Sequence, residues 1–279
     1  MKEYDEVRLP KYDCLLFDLD DTLYPVSFGL QSACSKNITD YMSEKLGIKD
    51  GEIPDLSNAL YKTYGTTLAG LRAIGYNINY DEYHSFVHGR LPYENLKYDA
   101  VLRSLLLSLP YRKVIFTNAD RIHAVKVLTL LGLEDCFEGI ICFETLNRQQ
   151  NFNSDATDSS PIFDIVGHFA KLDAEIELPK TPVLCKPSGE SILQALQIAD
   201  VDPDRTIFFE DSVRNIQSGK RIGLHTVLVG TSQRMKGADH SLESIHNLRE
   251  AFPELWEDAK KLEEILYDGK VAIETSVTA

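Results

Sequence analysis

Apolar positions along this chain follow two different rhythms. Short continuous runs at Cys14–Phe17 (CLLF), Lys113–Ala119 (KVIFTNA), Gly139–Phe143 (GIICF), Thr206–Ser212 (TIFFEDS) and His225–Gly230 (HTVLVG) suit fully buried strands, the second leading into a loop. Between them, apolar residues recur at three- and four-residue intervals, the spacing of an amphipathic helix. That second rhythm predicts helices over residues 98–109, 121–131, 190–199, 213–222 and 241–256. Residues 26–97 carry only the helical rhythm, over Ser27–Leu46, over Ile53–Ile74 with Gly65 as a weak point, and over Asp81–Gly89. Strands alternating with helices predict an α/β fold: a doubly wound, Rossmann-like parallel-sheet core with helices on both faces. The all-helical stretch reads as a small cap inserted after the first strand.

The expected organisation is therefore a core from residues 1–25 and 98–255, a helical cap from 26–97, and a C-terminal helix and frayed tail from 256–279. The segment 147–161 (NRQQNFNSDATDSSP) is polar, with little apolar surface to pack, and reads as a mobile loop. At 279 residues, 43% hydrophobic and 26% charged, the chain has ample material for a core of this kind.

Charge narrows the partners. A net charge of −14 argues against nucleic-acid polymers, which are bound mainly through phosphate neutralisation. No apolar run approaches the ~20 residues of a membrane span. The acidic, polar start (MKEYDEVRLPKYD) lacks the features of a secretory or transit signal, and five cysteines with no metal-ligand spacing suit a reducing, cytoplasmic setting. Cys34 and Cys136 read as surface thiols without a redox signal, Cys14 and Cys142 as small core hydrophobes.

The chemistry collects where strands end. In an open α/β sheet, ligands bind at the carboxyl ends of the strands. The first predicted strand runs into Asp18, Asp20, Asp21 and Thr22, the second into Thr117 and Asn118, and the fourth into Glu210, Asp211 and Ser212; Lys186 precedes a helix between the third and fourth. Three carboxylates at the mouth of a buried strand need a cation or protons as company. The inventory suits Mg²⁺ and a phosphoryl group held together. Asp18 is the candidate nucleophile and Asp20 the acid/base. Asp18 and Asp211 are the candidate metal ligands, with the Asp20 backbone carbonyl and Glu210 completing or orienting the shell. Thr117 and Asn118 would donate to phosphoryl oxygens, and Lys186 supplies positive charge. Asp21 is assigned to shaping the turn with Thr22. Taken singly, each motif has a plainer use as a turn, a cap or a solvated charge. Their order, each after its own strand, favours the joint reading.

These residues resemble the haloacid dehalogenase superfamily of phosphohydrolases, whose four motifs match FDLDDTLY, FTNA, CKP and FFEDS in order. Glu210-Asp211 stands where many members have two aspartates. The resemblance implies a phosphatase with a helical cap after the first motif. YPVSFGL, TYGTTLAGLRAIGY, FTNADRIHAVKVL and FFEDSVRNI are further similar to the pyrimidine 5′-nucleotidase branch known from yeast and plants, which implies nucleoside monophosphates such as UMP or CMP as substrates. Phe28, Tyr64, Tyr76, His88 and Arg90 are candidate cap contacts to the substrate. A mutase or phosphatase of another small metabolite, such as a sugar phosphate or pyridoxal phosphate, would share the motifs. A catalytically silent regulatory protein could share the fold, although both aspartates of the first motif are present.

Overall fold

The structure, a computed structural model, describes residues 11–147, 161–170 and 177–257. Its centre is a six-stranded, all-parallel sheet in the order β3-β2-β1-β4-β5-β6. The strands are β1 (Cys14–Phe17), β2 (Arg112–Phe116), β3 (Gly139–Ile141), β4 (Thr206–Glu210), β5 (His225–Val229) and β6 (His240–Leu242). β1 lies between β2 and β4, with Phe17 beside Ile115 on one side and Phe209 on the other. Chain order reverses across β1, and a switch of this kind opens a crevice at the carboxyl ends of the strands.

Alternation of side chains puts Leu15 and Phe17 on one face, and Cys14 and Leu16 on the other. The first face packs against α5 (Ala100–Leu107), α6 (Arg121–Leu131) and α11 (Leu248–Ala251); the second packs against α9 (Gly189–Ala199) and α10 (Val213–Ile222). Helices on both faces agree with the fold class expected from the apolar pattern.

Between β1 and α5 every regular element is helical: α1 (Leu30–Glu44), α2 (Ile53–Tyr64), α3 (Thr67–Ala73) and α4 (Tyr80–Val87), with short 3-10 turns at either end. These helices share a second core, around Tyr41, Met42, Leu60, Leu71 and Phe86, with Phe143, Val183 and Cys185. Arg214 of α10 donates to the carbonyls of Tyr61 and Lys62 at the end of α2, at 3.0 Å each. This joins the helical insertion to the sheet edge.

Several expectations are corrected. The predicted helix over 241–256 does not form as one element. Residues 240–242 instead make β6, pairing Val227–Val229, and a 3-10 turn at Ile245–Asn247 leads into a short helix, Leu248–Ala251, before Phe252 and Pro253 interrupt it. A three-residue edge strand with one buried side chain, Leu242, carries too little period-two signal to be read. The first helix starts at Leu30 rather than Ser27, because Gly29 at φ +80° separates it from the preceding turn. β3 stops at Ile141, and Phe143–Leu146 forms a short helix, α7. α8 (Ile165–Ala170) was not anticipated. Cys136 is buried in the main core, not at the surface. The loop expected at 147–161 and the tail expected at 256–279 lie outside the described residues except for Asn147, Pro161, Trp256 and Glu257.

Gly65 breaks the long helical stretch where its sequence suggested. Its φ of +94° disfavours any L side chain, and a Cβ there would lie 2.5 Å from the Lys186 carbonyl oxygen and 2.6 Å from Pro187. At Gly65 the helical insertion thus approaches Lys186 and Pro187 by main chain. Gly65→Ala is expected to cost about 1–3 kcal/mol of stability, read as a lower urea midpoint at unchanged slope. An unchanged midpoint would refute this account of the contact.

Candidate active site

Asp18 follows β1 directly, and its amide donates to the Phe209 carbonyl at 2.8 Å, so ladder pairing fixes the backbone of the first carboxylate. Glu210 closes β4 next door. Lys186 reaches between them. Its Nζ donates to Asp18 Oδ1 at 2.6 Å, to Glu210 Oε2 at 2.7 Å and to the Phe116 carbonyl at 2.8 Å. Only 1% of this lysine is exposed, so three acceptors replace the whole hydration of its ammonium. Its backbone is fixed as well. Asn118 accepts from the Lys186 amide at 2.8 Å and donates to its carbonyl at 3.0 Å. Asn147 holds Leu184 in the same two-way manner.

Asp18, Glu210 and Asp211 each offer an oxygen, and these lie within 4.8 Å of one another. Three oxygen ligands of full negative charge fit a hard divalent cation. Their protonation tells the same story. Burial, then the charge of Glu210, pushes Asp18 up to about 7 despite Lys186. Burial with Glu210 and Asp18 pushes Asp211 up to about 10. One ammonium does not balance the group, and a second cation would.

Asp20 is not part of that carboxylate group. Its Oδ1 accepts from the Tyr24 hydroxyl at 2.5 Å and meets His123 Nε2 at 2.7 Å. Burial alone would raise this carboxyl, but His123 outweighs it and brings Asp20 down to about 2. His123 itself is raised by Asp20 against the cost of its own burial. The Tyr93 hydroxyl lies 2.8 Å from its Nδ1, so both ring nitrogens of the imidazolium find acceptors. Within the stretch FTNADRIHAVKVL, no pattern of residue types sets His123 apart. Its signal was its position, three residues after Asp120, which caps α6 at the same sheet edge.

The remaining expectations divide. Thr117 is buried, lines the crevice and accepts from the Ala119 amide at 3.0 Å, keeping its own proton to donate. Asn118 lines the crevice too, but its side-chain amide is engaged with the Lys186 backbone. Thr22 donates to Asp18 Oδ2 at 3.1 Å, which is more than shaping a turn. Asp21 sits at φ +57° with its Oδ1 buried and, among the described residues, without a hydrogen bond, and burial pushes it up to about 6.

Above these groups a cavity of about 810 Å³ separates the helical insertion from the sheet edge. Of the five candidate contacts, only His88 lines it. Phe28 stacks on Tyr24, the Tyr64 hydroxyl donates to the Pro179 carbonyl, Tyr76 packs beside the second core, and Arg90 lies over the Phe86 ring. Gln31, Ser57, Asn58, Tyr61 and Arg214 line the cavity instead. These polar side chains sit between apolar positions of α1, α2 and α10, where sequence gives no reason to prefer them.

A model of the haloacid dehalogenase-like hydrolase family matches residues 174–229, a stretch that contains Lys186, Glu210 and Asp211. Phosphate metabolism protein 8 of Saccharomyces cerevisiae is 31% identical over 150 residues, covering 50% of this chain and 47% of that protein. The match thus spans about half of that relative's length. The magnesium-bound HAD-hydrolase YfnB of Bacillus subtilis superposes with a TM-score of 0.50 at 18% identity, covering 87% of this chain and 99% of that one. A HAD phosphatase from Thermococcus onnurineus superposes with a TM-score of 0.49 at 19% identity, covering 86% and 97%. The likeness to YfnB, at 18% identity, is likeness of fold. Residues 174–229 are thus similar to the haloacid dehalogenase-like hydrolases, and the fold gathers Asp18, Thr117, Lys186 and Asp211 around one crevice at the sheet edge.

Proposed function

We propose that the chain is a Mg²⁺-dependent phosphatase of small phosphate monoesters, acting on nucleoside 5′-monophosphates and on pyrimidine nucleotides first. The observation that carries this is the Asp18–Lys186–Glu210 ion cluster, with Asp211 beside it, at the floor of a closed-over crevice. The name of the yeast relative, a phosphate metabolism protein, and the magnesium bound to the Bacillus hydrolase point the same way. A cavity of about 810 Å³ falls in the range of small-molecule sites. Gln31, Ser57, Asn58 and Arg214 offer donors and acceptors for a base or sugar.

Each step falls to a residue already placed. An Asp18 carboxylate oxygen attacks phosphorus and the bond to the ester oxygen breaks, giving an aspartyl-phosphate and an alcohol. The leaving oxygen takes a proton from the Asp20–His123 pair, which holds one between Oδ1 and Nε2. Water then attacks the aspartyl-phosphate, gives its proton back to that pair, and inorganic phosphate leaves with Asp18 restored. Lys186 holds Asp18 in place, and Thr117 donates to a phosphoryl oxygen. Mg²⁺ bound by Asp18, Glu210 and Asp211 would supply further charge stabilisation to the phosphoryl group. The helical insertion would serve as the cap that excludes water.

Phosphate release from UMP, CMP, sugar phosphates and pyridoxal phosphate, with and without Mg²⁺, tests the reading. Asp18→Asn is expected to lower kcat by at least about 10³-fold, which is about 4 kcal/mol, and Asp20→Asn by about 10²–10⁴-fold. If no monoester turns over, or Asp18→Asn has no effect, the phosphatase reading fails. If another metabolite outcompetes UMP and CMP, only the nucleotide assignment fails.

Cation binding should also be visible in stability. Asp18 and Asp211 carry raised carboxyls in the fold, so without a cation they favour the folded state only while protonated. That contribution is intact below the ordinary carboxylate range and is lost as pH rises, towards about 7 for Asp18 and about 10 for Asp211. A divalent cation removes the loss by pairing with the ionised forms. The gap in Tm between Mg²⁺ and EDTA samples is therefore expected to widen from about pH 5 to about pH 8. Proton release on Mg²⁺ binding, measured by calorimetry in two buffers, provides the cross-check. A gap that stays constant would contradict the assignment.

A further inference from the structure

A second cluster lies beside the carboxylates and takes no part in the reaction described above. His84 and His88, one turn apart at the end of α4, meet Asp120, the residue that caps α6. One ligand atom from each lies within 4.8 Å of the other two. Asp120 Oδ1 is hydrogen-bonded to His88 Nδ1 and stands 3.7 Å from His84 Nδ1. Asp120 Oδ2 is taken by the His123 amide at 3.2 Å, which fixes the carboxylate and turns its other oxygen towards the two imidazoles.

His84 is the unexplained member. It is only 8% exposed, and among the described residues neither of its ring nitrogens has a hydrogen-bond partner. Around it lie the rings of Tyr83, His88 and Phe143, which offer packing but no acceptor in hydrogen-bonding position. Burial holds His84 neutral, down to about 3, so one ring nitrogen carries a free lone pair. A buried imidazole with both nitrogens unpaired is a costly arrangement for core packing alone.

We propose that His84, His88 and Asp120 form a site for a borderline transition-metal ion of the Zn²⁺ class, separate from the carboxylate cluster. Two imidazoles and one carboxylate select for Zn²⁺, Co²⁺ or Ni²⁺, whereas the all-oxygen set of Asp18, Glu210 and Asp211 selects for Mg²⁺. Tetrahedral bonds of about 2.0–2.1 Å put donor atoms roughly 3.4 Å apart. The three side chains reach that spacing by small rotations, with the His88–Asp120 hydrogen bond replaced by two bonds to the ion. A fourth position remains for water, since His123, the next imidazole, is occupied by Asp20 and Tyr93. Because α4 belongs to the helical insertion and Asp120 to the core, an ion here would tie the two together over the crevice. This inference does not depend on the substrate proposed above.

The test uses the full chain with Mg²⁺ in saturating excess, so that the carboxylate cluster is filled. Co²⁺ is expected to bind at one equivalent with the strong visible absorption of a four-coordinate site, and Zn²⁺ to displace it. His84→Gln and His88→Gln should each weaken Co²⁺ affinity by more than the about 10–100-fold that loss of an outer-shell partner costs. Asp211→Asn should leave it unchanged. If either histidine variant fails to fold by circular dichroism, imidazole NMR signals of the wild-type chain decide, with two rings shifted by Zn²⁺ as the expected outcome. No Co²⁺ binding, binding indifferent to both histidine changes, binding lost in Asp211→Asn, or no ring shifted would each overturn the site.

Discussion

The ammonium of Lys186, out of water between two carboxylates and a carbonyl, is the contact on which this sheet edge depends. Breaking such a pair by removing one partner strands a buried charge, which typically costs about 3–5 kcal/mol. The surrounding structure is arranged so that this does not arise. β1 and β4 are adjacent, so Asp18 and Glu210 arrive side by side. Asn118 and Asn147 clamp the loop that delivers the lysine. Gly65 lets the helical insertion press against that loop without a side chain between them. Burial makes the lysine rigid, and rigidity lets it hold the Asp18 carboxylate in one orientation.

The first-motif aspartates stand two residues apart and in opposite electrostatic surroundings. Asp18 sits among other carboxylates and is pushed up, while Asp20 sits beside His123 and is pulled down. Separate environments for neighbouring carboxyls are what the proposed nucleophile and acid/base require of one site. The separation is built by the sheet: Glu210 comes from β4 on one side of β1, and His123 from the helix after β2 on the other.

Much of the edge was legible because sheet topology does the placing. Once the strands are recognised, their carboxyl ends converge, and Asp18, Thr117, Glu210 and Asp211 must be neighbours. Pairings that rest on side-chain reach across the fold could not be read. His123 meets Asp20 across 103 positions, and Asn118 meets the backbone of Lys186 across 68. His84 and His88 show a one-turn spacing, but nothing in the sequence says that Asp120 faces them. The aromatic residues expected to line the cavity turned out to support walls, since an aromatic at helical spacing buries itself unless something stops it. β6 was missed for want of length.

The raised carboxyls at the sheet edge also imply a sequence of events. Three carboxylates face one ammonium, and in the cation-free fold Asp211 keeps a proton at neutral pH. A phosphate dianion approaching that edge would meet negative potential with no metal to offset it, on a chain that already carries a net charge of −14. On the proposed function, the proton on Asp211 stands in for the charge that the divalent ion would supply. Under the same proposal, loading of the cation precedes capture of the phosphate.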